Sequence, residues 1–181
     1  MTNLCQRFEK VRIPATPVEL DLLTASVLKY GCLIPLVTWK DTLIDGHERL
    51  KICQENDIPF ETTEKHFDND SDAIAWILKH QFATRHLLAY ERCMKVLQYE
   101  PEILEFLKKR QSAVFKRRKM PGFLLSSEAL AWFAGVSYGT FIKARELREA
   151  NDKDALLIAV TSINKGYEYL VNKERQLIKS V

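Results

Sequence analysis

Residues 36–56 constrain the fold more strongly than any other stretch of the chain. The apolar run Leu36–Trp39, the pair Lys40–Asp41 and the run Thr42–Ile44 predict a strand, a tight turn and a second short strand. Asp45–Gly46 then opens a predicted helix, whose apolar face carries Leu50, Ile52 and Cys53. The pattern therefore places the start of a helix directly after the end of a strand.

Such a helix start is suited to binding an anion. A glycine such as Gly46 lets the backbone approach a ligand closely, and the free N–H groups and positive dipole end of a helix favour negative charge. Arg49, one turn later, carries a planar set of donors that matches phosphate or carboxylate. A purely structural interpretation stays open, because Asp-Gly is a common turn dipeptide, Asp45 can cap a helix and Arg49 can pair with a nearby acid.

The flanking residues predict a mixed α/β arrangement. Val11–Pro14 alternates apolar and polar residues like a short edge strand, and residues 17–31 have the spacing and the glycine stop of a helix. Residues 57–67 are rich in β-branched and aromatic side chains, which favour a further strand. A short helix is predicted for residues 73–79, after a cluster of turn and capping residues.

Two boxes in this region resemble the N-terminal boxes of the ParB/sulfiredoxin-like superfamily. They are Gly31–Val37, which leaves a helix and enters a strand, and Leu43–Leu50, which contains a Gly-x-x-Arg helix start. The resemblance implies an α+β domain over residues 1–90, with a small mixed sheet and helices. It also implies that a nucleotide phosphate chain faces Gly46, His47, Glu48 and Arg49.

A third box, between residues 79 and 92, matches the superfamily in part. Gln81 and Arg85 fit, and the resemblance implies that both contact the nucleotide. Lys79 and His80 stand where the family has Glu and Asn, and a lysine cannot hold Mg²⁺ because it brings a positive charge and no acceptor. The implied cofactor is a nucleoside triphosphate such as CTP with Mg²⁺, but metal-assisted CTP hydrolysis is disfavoured. No residue is predicted to be catalytic or a metal ligand.

Cysteine usage and apolar runs exclude other classes of protein. The four cysteines are spread singly, without the close pairs of structural zinc sites, and none lies in the loop at Gly46–Arg49 where sulfiredoxin has its catalytic cysteine. A sulfinic acid reductase is therefore disfavoured. No stretch approaches the length of a membrane-spanning helix and the first residues do not resemble a secretory signal, so we expect a cytoplasmic protein without a membrane role.

Positive charge is concentrated in the C-terminal half of the chain. Residues 1–95 carry 12 Lys and Arg against 14 Asp and Glu, whereas residues 96–181 carry 15 against 10. Seven of the basic residues fall within residues 108–119. A solvated helix face is the structural alternative, but the charge also suits a polyanion. The residues predicted to contact phosphates are Lys116, Arg117, Arg118 and Lys119.

Residues 126–150 have the layout of a helix-turn-helix, within a predicted all-α DNA-binding domain over residues 91–181. Gly135 takes the turn and Ser137 caps the second helix. The residues expected to face inward are Leu130, Ala131, Ala134, Val136, Phe141 and Ala144. At the exposed start of the second helix, the predicted DNA contacts are Ser137, Tyr138, Thr140 and Lys143. A helical hairpin inside a bundle is the alternative.

The function implied by the resemblance is that of a ParB-like DNA-binding protein in plasmid or chromosome partition or in mobile-element maintenance, regulated by a nucleotide. A run at residues 162–167 strengthens the resemblance, since it is similar to the short helix that follows the helix-turn-helix in ParB-like proteins of plasmids and mobile elements. The expected partners are double-stranded DNA, a second copy of the chain and a partner ATPase. The alternatives are a nucleotide hydrolase or nuclease of the superfamily, and a transcription regulator with a vestigial nucleotide pocket.

Overall fold

The chain divides into two compact units, residues 1–81 and residues 82–181. The computed structural model describes residues 8–118 and 126–179. For residues 111–118 it describes only the helical backbone. The division falls inside a helix, whereas the sequence placed the domain boundary after residue 90.

The first unit combines helices with a mixed sheet of three strands. Its elements in chain order are a 3₁₀ turn Glu9–Val11, α1 Pro17–Tyr30, β1 Leu36–Trp39, β2 Thr42–Asp45, α2 His47–Glu55, β3 Thr62–Glu64 and α3 Asp70–Thr84, whose last turn enters the second unit. The strand order is β2-β1-β3, with β1 antiparallel to β2 and parallel to β3. The predicted small mixed sheet with helices is therefore confirmed.

Local sequence explains where these elements begin and end. Thr16 and Glu19 form a reciprocal cap at the start of α1, and Gly31 ends that helix with a φ of +78°. Lys40 and Asp41 join β1 to β2 and both have positive φ, as a two-residue hairpin turn requires.

Two predictions for this unit are wrong. Val11–Pro14 is not a strand: Val11 ends the 3₁₀ turn, and the backbone N–H of Ile13 donates to the side chain of Gln81 at 2.8 Å instead of to a neighbouring strand. The helix predicted for residues 73–79 is longer, because no glycine or proline interrupts residues 80–84 and α3 continues to Thr84.

The core of the first unit lies between α1, α2 and the sheet. Leu36, Leu43 and Leu50 form one buried cluster, and Val27, Ile52 and Cys53 form a second. A line of ring contacts continues toward α3, through Trp39, Phe67 and Trp76. The apolar face predicted for α2 therefore packs on two neighbours, since Leu50 contacts the strands and Ile52 and Cys53 contact α1.

The described residues of the second unit contain helices and no strand. The helices are α4 Ala89–Gln98, α5 Glu100–Arg118, α6 Ser126–Ala134, α7 Tyr138–Ala150, α8 Lys153–Thr161 and α9 Ile163–Lys179. The single residue Tyr99 separates α4 from α5, and Pro101 lies in the first turn of α5, where its missing N–H costs no helical hydrogen bond. The core includes the fully buried side chains Val96, Ile103, Leu130, Phe133, Phe141 and Leu147.

Helices α8 and α9 cross very closely at Gly166. A Cβ at this position would lie 2.6 Å from the carbonyl oxygen of Ala155 and 2.7 Å from the Cβ of Ala159. The glycine is therefore required by the crossing, although it lowers helix propensity. Ile163 and Leu170 lie on the same side of α9 and are buried.

A helix that spans a bilayer needs about 20 consecutive, predominantly apolar residues. No helix in the described parts of the chain meets that demand in both length and apolarity.

Candidate functional sites

The start of α2 in the first unit is built around Gly46. This residue is the N-cap, with a φ of +99°, and no side chain in the described part of the chain caps the helix. A Cβ on Gly46 would lie 2.6 Å from Leu36 Cδ2 and 3.1 Å from Arg49 Nη2. The glycine is thus needed for its backbone conformation and for packing, and protein side chains fill the space that a Cβ would take.

Arg49 donates its hydrogen bonds to the protein itself. One guanidinium nitrogen is 2.6 Å from the carbonyl oxygen of Ile34 and 3.3 Å from that of Pro35, and the other is 2.7 Å from Asp45 Oδ2. The side chain is 13% exposed. These bonds tie α2 to the chain segment that precedes β1, so Arg49 stabilises the fold at the position predicted to contact phosphate.

Glu48 and His47 complete the first turn of α2. The Glu48 carboxylate lies 2.7 Å from a guanidinium nitrogen of Arg12. Burial lowers the pKa of His47 to about 4, and the positive charge of Arg12 acts in the same direction. The Nε2 atom of His47 is buried and has no hydrogen-bond partner among the described residues. His47 is therefore a neutral side chain with an unused polar atom at the helix start.

Two residues of the third sequence box belong to α3, of which Gln81 was predicted to contact the nucleotide and His80 was not. The His80 ring stacks on Trp76 with centroids 4.9 Å apart, and its Nε2 lies 3.9 Å from Asp45 Oδ2. The Gln81 side chain accepts the Ile13 hydrogen bond described above. His80 thus lies beside the start of α2, whereas the side-chain carbonyl of Gln81 already accepts a structural hydrogen bond. Arg85 follows α3 and belongs to the second unit.

The side chains at the start of α2 do not suit Mg²⁺ binding. Asp45 and Glu48 are each paired with an arginine, and Lys79 offers no acceptor. Within residues 8–110 and 126–179, no group of three or more His, Cys, Asp or Glu could hold a metal ion. Arg12, which pairs with Glu48 from 36 residues earlier, was not predicted from the sequence because no local pattern marks so distant a pair.

Helices α6 and α7 of the second unit meet at a tight turn. Gly135 has a φ of +68°, and a Cβ added to it would have no other described atom within 4 Å, so only its backbone conformation requires glycine. The N–H groups of Gly135 and Val136 return to α6 carbonyls at 3.1 Å, as in a Schellman motif. Ser137 caps α7 through a 3.2 Å bond from the Thr140 N–H.

The two helices bury the residues that the pattern assigned to the interior. Leu130, Ala131, Ala134, Phe141 and Ala144 are 0–2% exposed, whereas Val136 is only half-buried because it lies in the turn. The helix positions and this buried side confirm the local pattern. Contact with DNA is a separate prediction, which these residues do not test.

Arg92 of α4 holds the turn between α6 and α7. Its guanidinium donates to the carbonyl oxygens of Ala134 at 2.9 Å, Gly135 at 3.5 Å and Leu87 at 3.0 Å. Two of these carbonyls lie at the C-terminal end of α6, where a helix leaves acceptors without intrahelical donors and favours positive charge. Arg92 therefore fixes the turn from which α7 begins.

The polar residues at the start of α7 face outward. Ser137 is exposed, Tyr138 is 48% exposed, and Thr140 and Lys143 are half-buried. The Ser137 and Thr140 hydroxyls are 2.8 Å apart, and Lys143 Nζ donates to Asn164 Oδ1 at 2.9 Å. The basic residues Lys116, Arg117 and Arg118 belong to the last turn of α5, and Lys119 lies outside the described residues.

The α+β fold of this chain is similar to that of a ParB-N domain, as the sequence resemblance implied. A solved structure of the C2221 form of a Pnob8-like ParB-N domain superimposes with a TM-score of 0.59, over 97% of this chain and 79% of that chain. The sequence identity is 18%, so the likeness shows the fold. No family model and no curated protein matches the chain.

Proposed function

We propose that this chain is a ParB-like DNA-binding protein, acting in plasmid or chromosome partition or in mobile-element maintenance, in which α6 and α7 form a helix-turn-helix. One observation carries the proposal. Helix α7 buries Phe141, Ala144 and Leu147 on one side and presents hydroxyl and ammonium groups at its exposed start. These groups are of the kind that contact phosphates and base edges in a major groove.

Salt-dependent DNA binding tests this proposal. The full chain is titrated against fluorescent random-sequence duplex DNA from about 50 to 200 mM salt, and affinity is expected to fall steeply as salt rises. Lys143→Met should lower the slope of log affinity against log salt by about one. Lys51→Met is the matched control, because Lys51 is an exposed lysine of α2, in the other unit. Absence of salt-dependent binding by the unmodified chain contradicts the proposal.

The basic stretch supplies a second part of the proposed DNA contact. Lys116, Arg117, Arg118 and Lys119 are proposed to neutralise phosphates beside the groove that α7 enters. Replacing all four with glutamine should lower the same slope by about three to four, if each releases about one counterion. If the fourfold replacement leaves the slope unchanged, the basic stretch does not contact DNA and α7 alone supplies the proposed contact.

A second candidate function is binding of a nucleotide phosphate chain, such as that of CTP, at the start of α2. It would use Gly46, His47, Glu48 and Arg49, with Gln81 and Arg85 as predicted from the resemblance. The favouring observation is that α2 has no side-chain cap while the Nε2 of His47 is buried without a described partner. Free N–H groups in the first turn of a helix are donors for phosphate oxygens. Because Mg²⁺ does not fit, this binding is proposed to be independent of metal.

Calorimetric titration with CTP, ATP and GTP, each with and without Mg²⁺, distinguishes the candidates. Binding without metal and without turnover supports a nucleotide-regulated DNA-binding protein. Metal-dependent binding with turnover favours a nucleotide hydrolase or nuclease instead. DNA binding with no nucleotide binding at all favours a transcription regulator whose pocket is vestigial.

Self-association is proposed from exposed apolar side chains on α1. Val18 and Leu22 lie one turn apart on this helix and are 67% and 68% exposed, so they form an adjacent apolar pair of the kind that a partner surface covers. Sedimentation of the full chain should show concentration-dependent dimers that Leu22→Glu removes. A partner ATPase stays a prediction of the sequence resemblance.

A further inference from the structure

Lys143 is held in place by residues from another helix. Its Nζ donates to Asn164 Oδ1 at 2.9 Å and lies 5.6 Å from the centre of the Tyr167 ring. Asn164 and Tyr167 belong to the first turns of α9, which begins twenty residues after Lys143. A hydrogen bond to the Glu146 carboxylate and its negative charge raise the pKa of Tyr167. The ammonium group therefore has a defined location at the protein surface.

The hydrogen bond between Lys143 and Asn164 extends a row of polar side chains at the start of α7. Ser137, Thr140 and Lys143 follow one another at intervals of three residues, so they lie along one side of the helix. This row is about 9 Å long, given a rise of 1.5 Å per residue, and it continues through the hydrogen bond to Asn164. A row of that length fits within a major groove about 12 Å wide.

The hydrogen bond between Lys143 and Asn164 also determines which groups these two side chains can offer to DNA. The Oδ1 of Asn164 accepts from Lys143, so its Nδ2 amide group is left with two donors. Lys143 has three donors, of which one is directed at Asn164. A free asparagine presents its Oδ1 acceptor and Nδ2 donor together and suits adenine. In this pair one lone pair of Oδ1 is used and a positively charged ammonium lies beside it, which disfavours a second donor there, so the pair offers mainly donors. Donors suit the O6 and N7 acceptors of guanine.

We propose that Asn164 is a specificity-determining residue of the DNA contact, and that with Lys143 it forms a donor-rich pair that selects guanine in the major groove. This inference rests on the proposed DNA-binding function. Holding Lys143 in advance also reduces the side-chain entropy that is lost when a lysine contacts DNA. Asn164 acts on the same base position as Lys143, so the effects of the two residues should not be additive.

Selection of bound fragments from random duplex DNA tests the inference. The full chain, Asn164→Ala, Asn164→Ser and Lys143→Met are each compared with Asn172→Ala. Asn172 is the matched control because it is an exposed asparagine of the same helix, outside the contact. The unmodified chain and Asn172→Ala should enrich a guanine at one position of the bound site. Asn164→Ala should lose about tenfold or more of this preference, the size expected for one base contact.

Binding measured on a selected site and on its guanine-to-adenine variant separates the outcomes. Equal effects of Asn164→Ala, Lys143→Met and the double variant support one pair. An unchanged guanine preference in both Asn164 variants, with Lys143→Met still weakening binding, overturns the inference and leaves the proposed function intact. Additive effects, with a lowered melting temperature for Asn164→Ala, also overturn it. If the unmodified chain binds no DNA, the proposed function fails and the inference fails with it.

Discussion

Both units contain a helix start that follows a glycine in the left-handed region, Gly46 before α2 and Gly135 before α7. Around Gly46 the polar residues bind one another: Arg49 holds Asp45 and two carbonyls, and Arg12 holds Glu48. At the start of α7 the hydroxyl and ammonium groups are at the surface, and the residues that hold the helix are apolar and buried.

This difference decides how each motif can be studied. At α7, the buried side chains that stabilise the helix pair differ from Tyr138 and Lys143, which are proposed to contact DNA, so a substitution at either of these can change DNA binding alone. Ser137, by contrast, also caps the helix. At α2, the residues of the motif are themselves the structural contacts. Loss of ligand binding after a change at Gly46 or Arg49 would therefore not distinguish a damaged site from a damaged fold.

The largest expected effect comes from adding a methyl group to the two glycines. Gly46→Ala combines backbone strain with overlap against Leu36, and should lower the free energy of unfolding by about 2–4 kcal/mol. Gly135→Ala adds strain alone and should cost about 1–2 kcal/mol. Gly139→Ala, with neither strain nor overlap, should stabilise by up to about 1 kcal/mol.

Two buried thiols report on each unit separately in that experiment. Cys53 lies in the first unit and Cys93 in the second, and burial raises the pKa of each to about 11. Labelling with a thiol reagent, located by mass spectrometry, should accelerate at Cys53 for Gly46→Ala and at Cys93 for Gly135→Ala. Equal costs for the two glycine variants would show that the overlap at Gly46 is relieved by movement of Leu36.

The second prediction compares two basic side chains. Arg49→Ala leaves Asp45 and two carbonyls without their donor, and should lower the free energy of unfolding by about 2–3 kcal/mol. Lys143→Ala removes one exposed contact and should change it by no more than about 0.5 kcal/mol. Urea denaturation followed by far-UV circular dichroism measures both. A cost for Arg49→Ala as small as that for Lys143→Ala would show that Arg49 is available to a ligand.

The parts of the structure that have a local cause could be predicted from the sequence. Thr16 and Gly31 mark the ends of α1, and Gly135 and Ser137 mark the turn before α7, because caps and left-handed turns depend on a few neighbouring residues. The buried side of α7 was equally predictable, since helical spacing alone places Phe141 and Ala144 together.

The predictions that failed or fell short depended on distant residues. An alternating pattern at Val11–Pro14 cannot show whether a neighbouring strand exists, and in the structure Ile13 bonds to a side chain of α3 instead. The partners of Arg49 are carbonyls fourteen and fifteen residues earlier, which no motif specifies. The contact of Lys143 with Asn164 likewise arises only when α9 packs beside α7.

The third prediction concerns pH and separates the units by their response to acid. The pKa of His47 is lowered in the folded protein from 6.5 to about 4, so the folded state binds fewer protons than the unfolded chain. Its contribution to stability is fully present above about pH 6.5 and is lost as the pH falls toward 4. Allowing for partial exposure of the ring, about 1–2 kcal/mol should be lost over that range.

Urea denaturation at several pH values measures this loss, followed by tryptophan fluorescence in a Trp132→Phe background so that only Trp39 and Trp76 of the first unit report. His47→Gln should flatten the dependence between pH 6.5 and 4. A dependence as steep in His47→Gln as in the unmodified chain would assign the effect to other groups.

The smallest expected effect concerns the residues that follow α2 and α7. Asp57 and Asn151 have φ values of +53° and +51°, which glycine adopts without strain. Asp57→Gly should stabilise the first unit by about 0.5–1 kcal/mol, because it relieves strain and removes a negative charge near the C-terminal end of a helix. Asn151→Gly should gain less, since asparagine tolerates this conformation and carries no charge. Thermal denaturation of the two variants gives the order, and a larger gain for Asn151→Gly would show that the charge of Asp57 is compensated within the first unit.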